Sequence, residues 1–365
     1  MILFVDQSGA MGGAQTVMLA LLAAARQVRP VALLCPEGPL HDEVKTRFNG
    51  NVPTNICARP QTATGQKSWL DIVRLAGYTF SFLRHLRLLQ RADLIYCNGS
   101  RQLPTLLLLS LVLNRKVIYH IHTDYGRLEK IAIRIAASAR TTAAIISNSQ
   151  FTAQRLGVSS VVVENALDDR FAALPFRDRF TGKSGQLRAA VIGKIIPEKG
   201  QDIAANAVSG LPMQLHLIGD AAEAPLAYRD QISSAALDGV TSDVPDVLER
   251  KGIQINIVPS VVQEAFGLVA IEGMAASCIT IVSGRGGLTQ IAERTGAWIA
   301  PDVDTLHKQL SRLIAMPPPE RVQLAISQYE ATQRVYAPAR FQSQMIGILQ
   351  GALTKRAYRE HVPDC

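Results

Sequence analysis

Two glutamates eight positions apart, Glu264 and Glu272, stand in an otherwise apolar stretch running from Pro259 to Ala276. Charged residues are rare in such surroundings unless they meet a partner. A carboxylate offers two acceptor oxygens, which suits a pair of hydroxyls on a sugar or a ribose. Glu264 precedes a helix expected to begin near Phe266–Gly267, and Glu272 falls inside it. The first N–H groups of that helix, on Phe266, Gly267 and Leu268, lack intrahelical acceptors and can hold a phosphate. Two carboxylates at this spacing also arise by chance, so it is their context that is informative.

Upstream, an apolar run ends in Gly193-Lys194, and Lys199-Gly200 follows. Two lysines five apart around a helix start suit a diphosphate, which carries two or three negative charges. Solvated surface lysines are the plainer explanation of the same spacing. Near the start of the chain, Gly12 and Gly13 open a helix where backbone N–H groups can approach a phosphate. A tight strand-to-helix turn explains them equally well. Gly9, Gly12 and Gly13 do not form GxGxxG, which disfavours a dinucleotide site and with it an NAD-dependent dehydrogenase. His120 and His122 close another apolar run and share one face of a strand. Asp302-Val303-Asp304 looks like a DxD metal motif, but its place between a strand and a helix favours Asp304 as an N-cap.

The elements that must position these groups alternate along the chain. Strands are expected at Ile2–Val5, Pro30–Cys35, Leu94–Cys97, Lys116–His122, Ala143–Ser147 and Val161–Val163. A second series is expected at Arg188–Ile192, Gln214–Ile218, Ile253–Val258, Ile279–Val282 and Ala297–Ile299. Continuous apolar runs indicate buried parallel strands, and helix-length segments such as Ala14–Val28, Trp69–Gln90 and Arg127–Ser138 separate them. The expected fold is therefore α/β, with two Rossmann-like domains facing across a cleft, at residues 1–170 and 185–338. A polar stretch from Asp168 through Pro175, resumed at Thr181–Gln186, reads as the linker. A last helix near 339–353 is expected to pack back on the first domain.

Charge is unevenly placed. Residues 1–180 hold 21 Lys+Arg against 12 Asp+Glu, and residues 181–365 hold 17 against 18. A basic half suggests an anionic partner, although an arginine-rich solvated surface gives the same count. The five cysteines are scattered, with no zinc or disulfide spacing, which fits a reducing compartment. The most apolar run, Leu103 to Leu113, is too short to span a bilayer, which needs about 20 apolar residues. The expected location is cytoplasmic.

Taken in order, Gly12-Gly13, Val163–Leu167, Gly193-Lys194, Lys199-Gly200, Gly219, the Glu264/Glu272 pair and Ser283–Leu288 resemble the retaining glycosyltransferases of family 4, which have the GT-B fold. The resemblance covers nearly all of the second half and is looser over the first. It implies that Glu264 lies near the donor sugar and that Glu272 binds the ribose hydroxyls. It further implies that Lys194 and Lys199 hold the diphosphate with Gly13, and that His122 or else His120 contacts the sugar. The implied donor is a nucleotide-diphosphate sugar, handled without a metal cofactor, and the implied acceptor a glycan or lipid-linked glycan of cell-surface polysaccharide or lipopolysaccharide synthesis. The family usually has Arg where Lys194 stands; lysine keeps the charge and loses the bidentate fork. Arg285 is a candidate to assist.

Arg74, Arg84, Arg87 and Arg91 lie among Leu, Phe and Tyr with no acid between Asp71 and Asp93. Such a basic amphipathic stretch can dock on the anionic inner face of a membrane, or equally form an ordinary solvent-facing helix. No nucleic-acid partner is expected. A UDP-sugar 2-epimerase of the same fold and a non-catalytic sugar-nucleotide-binding partner are the competing functions.

Overall fold

The computed structural model describes residues 1–58, 79–123, 125–182, 185–241 and 243–354. The chain divides into two compact units, Met1–Asn165 with the segment from Ala339 onward, and Ala166–Pro338.

The first unit is built on a parallel sheet. Its strands are β1 (Ile2–Asp6), β2 (Val31–Cys35), β3 (Thr54–Ile56), β4 (Leu94–Asn98), β5 (Lys116–Ile121), β6 (Thr142–Ser147) and β7 (Val161–Val162). They lie in the order β3-β2-β1-β4-β5-β6-β7. All five residues of β1, β2 and β4 are buried, as an apolar run covered on both faces requires. The order reverses between β1 and β4, whose last residues, Asp6 and Asn98, stand side by side. That reversal is where open α/β sheets bind ligands.

The second unit repeats the plan with β8 (Leu187–Ile192), β9 (Met213–Ile218), β10 (Ala236–Gly239), β11 (Ile255–Val258), β12 (Ile279–Val282) and β13 (Trp298–Ile299). The order β10-β9-β8-β11-β12-β13 reverses between β8 and β11. Two buried clusters hold this sheet, one around Leu215, Ile257 and Leu310 and one around Phe266, Ile271 and Met274.

The structure departs from the expectations at identifiable places. β3 and β10 carry no continuous apolar run because they are short, partly exposed edge strands. Phe171, in the stretch read as a linker, and Leu167 just before it are buried in the cluster around Phe266 and Ile271, and the short helix Asp169–Ala172 forms there. The division between the units therefore falls before Ala166 instead of after residue 170. The cap of the helix Val303–Ala315 is Asp302, whose carboxylate accepts from the Thr305 N–H at 2.8 Å; Asp304 sits inside the first turn. Residues 69–78 of the expected helix Trp69–Gln90, Arg74 among them, lie outside the described residues. Beyond them come a 3-10 turn, Phe82–His85, and a six-residue helix, Leu86–Arg91.

Candidate functional site

At the second reversal, β8 runs into Gly193 and β11 into Pro259-Ser260. Gly219, after β9, has φ +158°, and a Cβ on it would lie 1.8 Å from the Gly193 carbonyl oxygen, so glycine is required for these loops to touch. The turn Pro197–Lys199 is tied to the β11 loop by the Val261 N–H donating to the Glu198 carbonyl at 3.0 Å. This brings Lys199 to Glu264. The lysine Nζ donates to Glu264 Oε1 at 2.6 Å, and Ser260 Oγ donates to the same oxygen at 2.6 Å. One carboxylate oxygen is thus held twice, and no bond to Oε2 is formed among the described residues. The backbone of Glu264 is fixed as well: it bridges to Gly286, and the Gly287 N–H donates to its carbonyl at 2.7 Å. A Cβ on Gly286, at φ +66°, would come within 2.2 Å of the Glu264 carbonyl oxygen.

Three residues after Glu264 the chain enters the helix Leu268–Ala275 through Gly267, with no side-chain cap on its first N–H groups. Glu272, within that helix, is half-buried and makes no side-chain hydrogen bond among the described residues. Burial first, and Asp168 second, push its carboxyl up to about 7, against a downward pull from Arg170. Asp168 itself accepts from the Arg170 backbone N–H and Nε, both at 3.0 Å.

Lys194 pairs elsewhere. Its Nζ lies 3.0 Å from Glu223 Oε1, and both side chains are more than half exposed, so the pair contributes less than about 1 kcal/mol. Arg285 donates to the carbonyls of Ser260 and Pro301, both at 3.2 Å, and so ties the β11 loop to the segment after β13.

At the first reversal, Asp6 is wholly buried and accepts from Gln15 Nε2 at 3.0 Å, from the Ser8 N–H at 2.7 Å and from Asn98 Nδ2. Burial raises its carboxyl above the ordinary range, while those donors pull the other way. Because Asn98 Nδ2 is turned toward Asp6 and the Ala14 carbonyl, its Oδ1 faces His122 Nε2 at 2.7 Å. An amide oxygen only accepts, so His122 carries its proton on Nε2. Its Nδ1 is then a buried lone pair with no partner among the described residues. Burial pushes this imidazole down to about 3, keeping it neutral. His120 is fully buried, bonded through Nδ1 to the Tyr96 hydroxyl, with its ring centroid 3.9 Å from that of His122. Gly12, extended and exposed, caps the helix Gly13–Ala25 without a side-chain bond.

The structure therefore joins Lys199 to Glu264 and places Phe266, Gly267 and Leu268 at the adjoining helix entry, with Glu272 farther along that helix. Sequence reasoning missed Ser260, Asp168, Asp6 and Asn98. The one signal available was Asp6, an acid closing a strand of four apolar residues; the others act through side-chain pairings that no local pattern marks.

Two family profiles cover most of the chain: "Glycosyltransferase Family 4" over residues 11–168 and "Glycosyl transferases group 1" over residues 186–316. No curated protein sequence matches. Among solved structures, the chain is similar to HepE of Anabaena in complex with UDP-glucose, at TM-score 0.77 and 19% identity over 96% of this chain and 99% of that one. It is likewise similar to sucrose-phosphate synthase of Thermosynechococcus elongatus, at TM-score 0.77 and 16% identity over 97% and 99%. A third likeness is to the apo form of the lipopolysaccharide outer core galactosyltransferase WaaB, at TM-score 0.68 and 15% identity over 97% and 99%.

Proposed function

Because the chain is a glycosyltransferase of the family 4 type with the GT-B fold, we propose that it is a retaining hexosyltransferase. It takes a sugar from a nucleotide-diphosphate donor and passes it to a glycan or lipid-linked acceptor in cell-surface polysaccharide synthesis. The observation that supports this reading most is the Lys199–Glu264–Ser260 cluster beside an uncapped helix entry, at the order reversal of the second sheet.

In this reading Lys194 and Lys199, with the N–H groups at Phe266, Gly267 and Leu268, offset the charge of the diphosphate. No metal is needed to do so. Glu272, whose oxygens are free, receives the ribose hydroxyls. Glu264 is held through Oε1 and offers Oε2 to a hydroxyl of the donor sugar. His122 accepts a hydroxyl through Nδ1, for which His120 is less suited because its Nδ1 is tied to Tyr96. The anomeric carbon's bond to the phosphate oxygen breaks, and the acceptor oxygen bonds to that carbon on the same face. The acceptor's proton passes to the leaving diphosphate. This route suits a site whose candidate carboxylate, Glu264, is held by a lysine.

The test is thermal stabilisation by UDP, GDP and their sugars, repeated on Glu272→Ala. One nucleotide is expected to raise the melting temperature of the parent by several degrees and to leave the variant unmoved. UDP-glucose is the first probe, since the HepE structure holds it. Turnover follows: sugar transfer that requires acceptor supports the reading, whereas an epimerised donor formed without acceptor points to the 2-epimerase. No shift with any nucleotide overturns the donor site and favours a non-catalytic partner.

A further inference from the structure

Away from these residues, the first unit exposes two adjacent helices whose outer faces are apolar. On Leu103–Leu113 the buried face is Leu103, Leu106 and Leu109, while Leu108, Leu111 and Val112 are 53%, 36% and 72% exposed. On Arg127–Ala137 the buried residues are Ile133 and Ala136, and Leu128, Ile131 and Ile135 are 57%, 49% and 57% exposed. The spacing of each trio, i, i+3, i+4 and i, i+3, i+7, aligns it as one stripe. The two stripes meet. Leu111 and Ile135 line one open surface groove of about 520 Å³, with Leu107, Ala139 and Arg134 beside them.

Cations flank this apolar surface. Arg127, Lys130 and Arg134 repeat the i, i+3, i+7 spacing one position before Leu128, Ile131 and Ile135, so a basic stripe runs along one side of the apolar one. Arg115, Lys116 and Arg140 follow the far ends of the same helices, Lys116 as the first residue of β5. Residues 103–116 and 127–141 hold these six cations against one acid, Glu129. A hydrogen bond of 2.9 Å between Thr79 and Thr105 brings a further exposed apolar side chain, Phe80, near the start of the first helix. Among the described residues no helix is long and apolar enough to cross a membrane.

We propose that this two-helix surface is a docking face for an anionic lipid bilayer, its apolar stripes entering the interface and its lysines and arginines meeting the headgroups. An apolar stripe bordered by cations is the arrangement that interfacial helices use, and each cation near an anionic surface strengthens the attachment. A protein partner with an acidic rim and a second copy of this chain are the alternatives the test must separate. The inference deepens the proposed transfer by locating where a lipid-borne acceptor's bilayer is met, on residues other than the expected Arg74–Arg91 stretch.

The experiment is vesicle flotation of the full chain with neutral vesicles and with vesicles of about 30% anionic lipid, at low and high salt. Binding is expected with anionic vesicles, and is expected to weaken by about tenfold or more in Arg127→Gln/Arg134→Gln and in Val112→Asp/Ile131→Asp. Stabilisation by the donor nucleotide should be the same in parent and variants, which shows that they fold and keeps failure here distinct from failure of the donor site. Binding that ignores lipid charge, or is unchanged by these substitutions, overturns the proposal. So does a parent that fails to float but is dimeric in solution and made monomeric by Ile131→Asp, which assigns the face to a second copy.

Discussion

At the first unit's order reversal, between β1 and β4, a buried acid is satisfied by neutral donors alone: Gln15, Asn98 and the Ser8 N–H meet Asp6. At the second, between β8 and β11, the acid is met by a cation, Lys199 on Glu264, in a partly exposed place. The topology is the same and the electrostatics are not. A fully buried carboxylate without a cation is a rigid positioning device, since any loss of its donors leaves unsatisfied groups. A carboxylate–lysine pair reached by solvent is suited to binding, because an arriving anion can compete for the lysine and an arriving hydroxyl for the carboxylate.

The largest expected effect follows from that contrast. Glu264→Gln should keep the Ser260 bond and lose the charge that pairs with Lys199, and Lys199→Ala should leave the carboxylate unpaired. Each should lower sugar transfer by about a hundredfold or more with little change in stability, measured as kcat/KM beside thermal melting. The contrast inverts in the first unit. Asp6→Leu should cost about 2 kcal/mol or more of stability in denaturant melts, because Asn98, Gln15 and the Ser8 N–H all lose their acceptor at once. If Asp6→Leu melts like the parent while Glu264→Gln unfolds, the assignment of one acid to structure and the other to chemistry is reversed.

The same contrast explains what could be read from the sequence. In the second unit the candidate residues come from short contiguous segments. Gly193 through Gly200 and Ser260 through Glu272 each keep their order and spacing in one stretch, so a motif carries them. Asp6, Asn98 and His122 are brought together only by the pairing of β1, β4 and β5, over more than ninety positions. Parallel strands announce themselves by unbroken apolar runs, which made β1, β2 and β12 legible. β3 and β10, half-exposed at the sheet edges, have no such run. Phe171 reads as part of a linker because its burial partners, Phe266 and Ile271, are distant in sequence.

A smaller effect separates the units by pH. His122 stays neutral in the fold down to about 3 while the unfolded chain charges near 6.5, so the unfolded state binds more protons between those values. Stability from this group therefore falls as pH drops through that window. Glu272 behaves oppositely. Its carboxyl stays protonated in the fold up to about 7, above its ordinary 4.5, so the folded state binds more protons and stability falls as pH rises through that range. Neither slope can exceed about 1.4 kcal/mol per pH unit. Comparing Glu272→Gln with the parent between pH 5 and 7 should show the variant gaining relative stability toward pH 7. In the same window, donor binding to the parent should strengthen with pH, since the ionised carboxylate accepts both ribose hydroxyls. A sugar-linked diphosphate keeps the ligand's own charge constant over that range. A binding curve flat with pH in the parent would remove Glu272 from the donor site.

The smallest effect concerns Lys194, where the family usually carries arginine. Its contact with Glu223 is exposed on both sides, so Lys194→Ala should change stability by less than the roughly 0.5 kcal/mol typical of surface substitutions, read by thermal melting. What it should change is donor affinity, by about threefold to tenfold, as one cation in a set that includes Lys199 and the helix entry. Lys194→Arg is the sharper experiment. A guanidinium supplies two parallel N–H groups to a phosphate where an ammonium supplies a point charge. If Lys194 faces the diphosphate, the arginine variant should bind the donor more tightly than the parent, and Glu223→Ala, which frees the lysine, should move in the same direction. Should both variants bind as the parent does, Lys194 is a solvated surface residue and Lys199 alone carries the cationic side of the second unit's site.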